Sequence, residues 1–574
     1  MTMATPDGRG LASLTYRLMI LGMVAGVGCE DAPSTFADAA AVGDAGAADA
    51  AMDVDAGAAD AAMDVDASAA LDAGDDASAN LDASLDAAVT FDRFVSPSGT
   101  DAGNDCTVEA APCRTIARGA TLAVAGETVW LLDGAYTSTS QGASAVPVAG
   151  DVIRARNPGL AILRISLDLT DATVIDLSIE GGALRAVGGT SVLEGIRLVG
   201  AFTSSAQAIT ASGSAVVTLR PGTVANYAAG ATGGTFGAGS LIAVSGTAQL
   251  VVEGGTFAGP GVGGTGQSAG GGGAIDVFDD ARVTLTGVTM RVNTRGITLR
   301  GRARLTMSGC TLEAASVTST AWGILVFNGS GDVASVTLTD STVRGFAYLG
   351  SSAPIRVADL QGTNQPRAAL VLTNTTLSQS SLGVYVDGAS TATIDGTGLQ
   401  IRDNLFGGVR ADGALDLAMT GGAVTGNAWY TTTGVASFHG GIWLGAARAY
   451  ALRLRGVSIT DNRSTVANGN VDSGGITVAG TAGSAFDLGT AASPGGNTIT
   501  GNTTGGVTTG LSVKPSAGVI VSAVGNTFAA GVQGANPSGQ YVLGSPPCGA
   551  TACDLSSGTG ENYRVTSGVV RLAQ

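Results

Sequence analysis

Apolar residues recur at i, i+2 and i+7 nine times between positions 217 and 459. The triads are Val217/Leu219/Val224, Leu250/Val252/Phe257, Val283/Leu285/Met290, Leu305/Met307/Leu312, Val336/Leu338/Val343, Leu370/Leu372/Leu377, Ala392/Ile394/Leu399, Leu417/Met419/Val424 and Leu452/Leu454/Ile459. A spacing of two places side chains on one face of a strand, whereas a helix needs three and four. Each unit therefore reads as a strand, a corner and a second strand. Ahead of most triads stands a third strand opened by glycine, as in Gly296-Ile297-Thr298-Leu299, Gly323-Ile324-Leu325-Val326 and Gly441-Ile442-Trp443-Leu444. Eight residues separate that strand from the triad in several coils, among them Ile275 to Val283, Ile297 to Leu305, Val384 to Ala392 and Val409 to Leu417. The clearest pair aligns at a shift of 22, with Ile275, Val283, Leu285 and Met290 falling on Ile297, Leu305, Met307 and Leu312. Units this short cannot bury an apolar face alone, so they must stack on copies of themselves.

The pattern predicts an all-β solenoid of roughly 12–14 coils with three short strands per coil. It resembles the right-handed parallel β-helix of pectate-lyase-like proteins over residues 141–545, and the right-handedness is implied by that resemblance. Asparagine follows the last strand at i, i+3 in Met290 to Asn293, Val424 to Asn427, Ile459 to Asn462 and Ile499 to Asn502. Such residues suit left-handed corners, and their amides can bond one another along the stack.

Residues 91–140, from Phe94-Val95-Ser96-Pro97 through Pro112-Cys113-Arg114-Thr115 to Gly134-Ala135-Tyr136, resemble a module of unassigned function that opens many bacterial β-helix proteins. Within it Ile116, Ala120 and Ala123 share a face of a short capping helix between Thr115 and Gly126. Residues 546–574 are expected to cap the other end, because exposed strand edges need cover.

Charge changes the layout before residue 91. The chain has 46 acidic and 29 basic residues and a net charge of −17, yet residues 1–90 hold 16 acids and two arginines, a balance of −14. Residues 29–90 are almost all Ala, Asp, Gly and Ser, with an 11-residue repeat at Asp49 and Asp60, and are expected to form a disordered, self-repelling tether. Residues 1–28 read as an export signal, with Arg9 and Arg17 before the apolar run Leu18 to Val27. Gly26-Val27-Gly28-Cys29 resembles a bacterial lipobox, departing from it where Leu is usual and Gly26 stands; the resemblance implies a lipid on Cys29 and a cell-surface or outer-membrane location. Secretion without a lipid is the alternative. The membrane would be met through that anchor only, and the rod is expected to be a monomer.

The remaining cysteines suit an oxidising compartment: Cys106 and Cys113, and Cys548 and Cys553, could each close a small loop, while Cys310 replaces Val288 one coil on and reads as a buried thiol. No metal site is expected, since the one histidine, His439, is remote from both pairs. No basic patch suited to nucleic acid emerges.

Function is sought where the period breaks. From the last triad residue to the next glycine-led strand the chain runs 18, 18, 7, 12, 12, 7, 10, 18 and 17 residues, so all long loops are expected at one corner, short in the middle. They carry Tyr227, Trp322, Phe346, Tyr348, Phe406, Trp429, Tyr430 and His439 beside Arg402-Asp403-Asn404 and Asp461-Asn462-Arg463. Flat aromatics next to such polar groups suit sugar recognition. The candidate ligand residues are Trp322, Arg402, Asp403, Asn404, Trp429, Tyr430, His439 and Arg463. The bland alternative is that the aromatics anchor their own loops.

The lyase and polygalacturonase motifs that the resemblance implies are missing apart from fragments, Asp279-Asp280 and Phe438-His439-Gly440-Gly441, so no catalytic residue or cofactor is assigned. The favoured reading is a non-catalytic surface protein that binds polysaccharide or another surface protein. A polyuronate-directed lyase, with calcium, or a glycoside hydrolase is the first alternative, and a structural spacer the second.

Overall fold

The computed structural model describes residues 92–573 apart from short gaps, the longest being 201–206, 228–239, 258–272, 316–321, 359–364, 430–438, 514–519, 529–552 and 557–562. The expected signal, tether and Cys29 lie outside the described residues, as do Asn293, Tyr348, Tyr430 and Cys548.

Three long parallel sheets run the length of the solenoid, one strand per coil from each. Sheet I collects the glycine-led strands, from Ala145–Ala149 to Tyr563–Val565. Sheet II holds the first two residues of each triad, and sheet III, from Gly134–Tyr136 to Thr527–Phe528, holds the third. Sheets I and III have 15 rungs each, slightly more than the expected 12–14. The fold is an all-β parallel β-helix.

The stacking follows from the triads. On sheet I, Ile242, Ile275, Ile297, Ile324, Ile355, Val384, Val409, Ile442 and Ile476 pair rung to rung and are buried. The 22-residue alignment is reproduced pair by pair, Val283 on Leu305 and Met290 on Leu312. Two triads shift. Gly396 and Ile401, with Ile394, take the rung read as Ala392/Ile394/Leu399, because Leu372 pairs with Gly396 and Leu377 with Ile401. Ala225, rather than Val224, lies opposite Phe257. In the first, apolar residues continuing at even spacing offer two registers, and only the neighbouring rung chooses between them; the second is a slip of one residue between two adjacent apolar positions.

The corners depart from expectation as well. The II–III corner is tight in most coils, turning through left-handed Gly287, Gly309 and Asn374, for example, but runs ten residues, 488–497, between Ala485–Asp487 and Thr498–Thr500. Long connections therefore leave more than one corner. Loops at III–I vary as expected, but I–II also lengthens, to 12 residues from Ile324 to Val336 and 15 from Ile355 to Leu370.

At the N-terminal end Thr115 caps a helix over Ile116–Leu122, accepting from the Arg118 amide. Its buried face is Ile116 and Gly119 with Ala123 partly buried, not Ala120, because Gly119 packs where a Cβ would stand 2.7 Å from Val95. Cys106 and Cys113 are disulfide-bonded beside it. Cys310 is a buried free thiol whose sulfur accepts from the Val288 amide.

Candidate functional site

Asparagines at the start of the III–I corner form a buried ladder. Nδ2 of Asn404 donates to Oδ1 of Asn427 at 2.8 Å, Asn427 to Asn462 at 2.8 Å, and Asn462 to Asn502 at 2.9 Å. Each Oδ1 also takes the backbone amide of the residue on the rung before, and each Nδ2 reaches a sheet III carbonyl, such as Ile401 or Val424. Asn404 is thus fully buried and fully bonded, the Ser380 amide included, which leaves it nothing for a ligand. None of these asparagines has a positive φ. The left-handed residue is the one before, namely Asp403, Gly426, Asp461 and Gly501, and on the preceding rung Gln379 before Ser380, at φ between 53° and 67°.

That correction locates the site. Left-handed turns point outward while the asparagines point in, so Gln379, Asp403, Gly426 and Asp461 stack on four consecutive rungs at the surface. They line a cleft of about 670 Å³ together with Ala347, Leu405, Trp429 and Arg463. Trp429 is 49% exposed, and its indole Nε1 donates to the Asp403 carbonyl at 3.5 Å. Arg402 sits beside the cleft and pairs with Asp403 at 3.2 Å. A Cβ on Gly426 would stand 2.9 Å from Asp403 Oδ1, so glycine keeps the floor open between the two aspartates.

Of the sequence candidates, Asp403, Trp429 and Arg463 therefore converge, with Arg402 adjacent. Gln379, Leu405 and Gly426 were not singled out from sequence. Their signal is positional: Leu405 and Gly426 flank ladder asparagines and Gln379 precedes Ser380, whose amide bonds the ladder, which becomes visible only when the rungs are aligned.

Trp322 and His439 belong elsewhere. Trp322 lies on the outer face of sheet I, 7% exposed, between the guanidiniums of Arg295 at 5.4 Å and Arg356 at 5.1 Å. The alternation continues with Arg356 on Tyr385, then Arg410 on Tyr385 and on Trp443, at 5.1 to 5.7 Å. One member comes from each of six successive rungs, and every contact contributes on the order of 1 kcal/mol. Asp387 and Asp412 pair with Arg356 and Arg410 at its edge. At the other end Asp276 is wholly buried on this face, and burial pushes its carboxyl up against the pull of Arg300 and Arg295.

His439 closes the row, 4% exposed, with its ring 4.8 Å from that of Trp443. Burial, helped by the charge on Arg410, pushes its pKa down to about 3. Phe346 is likewise core and Phe406 half-buried against Leu382 and Tyr385, whereas Trp429 is half exposed.

The two hydrolase-like fragments do not meet. Asp279 turns the I–II corner with Asp280 paired to Arg302, six rungs from His439. Among the described residues no group of three or more His, Cys, Asp or Glu is placed to hold a metal ion.

Fold and site together define a parallel β-helix bearing a ligand-sized surface cleft at its III–I corner. No family model and no curated protein matches the chain. Among solved structures it is similar to the crystal structure of pectate lyase Pel9A, with 12% identity over 56% of this chain and 77% of that one and a TM-score of 0.26. A likeness at that level carries no argument about activity.

Proposed function

We propose that the protein is an exported β-helix that binds polysaccharide at the cell surface through its III–I corner cleft, without cleaving it, and is tethered by a lipid on Cys29. One observation carries the reading: an exposed tryptophan and charged side chains from successive coils, Asp403, Asp461 and Arg463, line one cleft of about 670 Å³. An exposed indole beside hydroxyl-bonding groups is the usual means of holding a sugar ring. A rigid scaffold that displays such groups at a corner suits binding.

The non-catalytic part rests on the carboxylates. Asp403 and Asp461 are two rungs apart, about 10 Å along the solenoid, near the separation an inverting hydrolase uses. Neither is buried, however, and burial is what fits a carboxyl for general-acid work. A glycan array with the intact chain and a Trp429→Ala variant tests the reading, followed by assay of every bound glycan for new reducing ends and unsaturated products. Binding lost in the variant, with no product, supports it; product formation would replace it with the enzyme reading, and an empty array would leave a spacer.

A further inference from the structure

Resting on the cleft as a glycan site, we infer that its ligand is an uncharged hexose polymer lying along the coil stack, and that Asp461 and Arg463 read it as a pair. The charges are balanced and already partly used. Arg402 holds Asp403 at 3.2 Å, so that carboxylate is half satisfied before any ligand arrives. Asp461 and Arg463 both line the cleft, and neither forms an ion pair among the described residues. One accepts hydrogen bonds only and the other donates only. Neighbouring sugar hydroxyls, which do both, satisfy the two at once.

A uronate would answer Arg463 and then face Asp403 and Asp461 with a like charge. Its polymer would also approach a chain whose net charge is −17, most of it in residues 1–90.

The rungs supply the orientation. Gln379, Asp403, Gly426 and Asp461 stand one per rung, at about 4.8 Å spacing, and a hexose unit in a linear polymer is about one rung long. A chain laid along the stack puts one ring over Gly426, where no side chain intrudes, against the exposed face of Trp429. The rings on either side then fall beside Asp403 and Asp461.

Calorimetric titration of the intact chain with a neutral glucan, galactan and mannan and with polygalacturonate, at low and high salt, tests the inference. Affinity is expected for a neutral polymer, changing less than about twofold with salt because no ligand charge is screened. Asp461→Asn and Arg463→Gln should each weaken it about tenfold, the scale of one charge-assisted hydrogen bond. Salt-sensitive binding to polygalacturonate that Trp429→Ala abolishes would overturn the neutral-ligand inference and leave the glycan site standing. Neutral binding untouched by either substitution would overturn the pair, and no binding to any polymer would overturn both inference and site.

Discussion

His439 should stay uncharged in the folded protein far below the pH at which a free histidine protonates. It is 4% exposed, packed against Trp443, and burial with the nearby Arg410 charge pushes its pKa from 6.5 down to about 3. Between those values the unfolded chain binds a proton here that the folded chain refuses. Stability from this residue is therefore complete above pH 6.5 and lost as the pH falls, at about 1.4 kcal/mol per pH unit. Between pH 6.5 and about 3 the loss is about 4 kcal/mol. The chain contains one histidine, so ¹³C-histidine labelling yields one imidazole resonance. Its shift should be flat from pH 8 to pH 4.5. Denaturant unfolding should agree: wild type should lose about 2 kcal/mol more than His439→Phe between pH 6.5 and 4.5. A solenoid unfolds by neighbouring rungs, so the resonance is the stricter readout. A midpoint near 6.5 would refute the reasoning, since it requires a solvated ring.

Replacing Asn427 with Ala takes the acceptor from the Asn404 backbone amide and Nδ2 and one of two donors from Asn462 Oδ1, and should cost about 3 kcal/mol in denaturant unfolding, with Asn427→Asp no better because a carboxylate cannot donate. Gly119→Ala should loosen the cap by about 1–3 kcal/mol, because the new methyl meets Val95 and Val129, and faster amide exchange over Ile116–Leu122 is the measurement. Trp322→Ala should destabilise by about 3–5 kcal/mol without changing glycan affinity, whereas Trp429→Ala should do the reverse. Palmitate-analogue labelling should mark the wild type and not Cys29→Ser; equal label in both would end the lipid claim.

The regular part of this molecule was open to reading because its period is imposed by burial. Ile275 and Ile297, or Val283 and Leu305, can be aligned from sequence since each must fill the same interior position. The period blurred where alternation continued past the triad, as at Ala392, Ile394 and Gly396. There strand pairing, a contact with another coil, fixed the register.

The cleft was half legible. Asp403, Trp429 and Arg463 stood out by type, but a residue's type does not show which side of a corner it faces. Asn404 and Asp403 are adjacent, one wholly buried and one exposed, because only the second takes the left-handed turn. Trp322 and His439 looked like loop residues, yet sheet I is covered on its outer face too: Trp322–Val326 and Leu382–Val386 are buried at every position. A glycine-led start gave no hint of that cover, since the side chains that provide it come from other coils.

The most direct test of the central claim is titration of the intact wild-type chain and Trp429→Ala with whichever glycan an array selects. The substitution should weaken binding at least tenfold while leaving the thermal unfolding midpoint within a degree or two, since Trp429 is half exposed. Unchanged affinity in a folded Trp429→Ala protein would contradict that claim and move the search away from this corner.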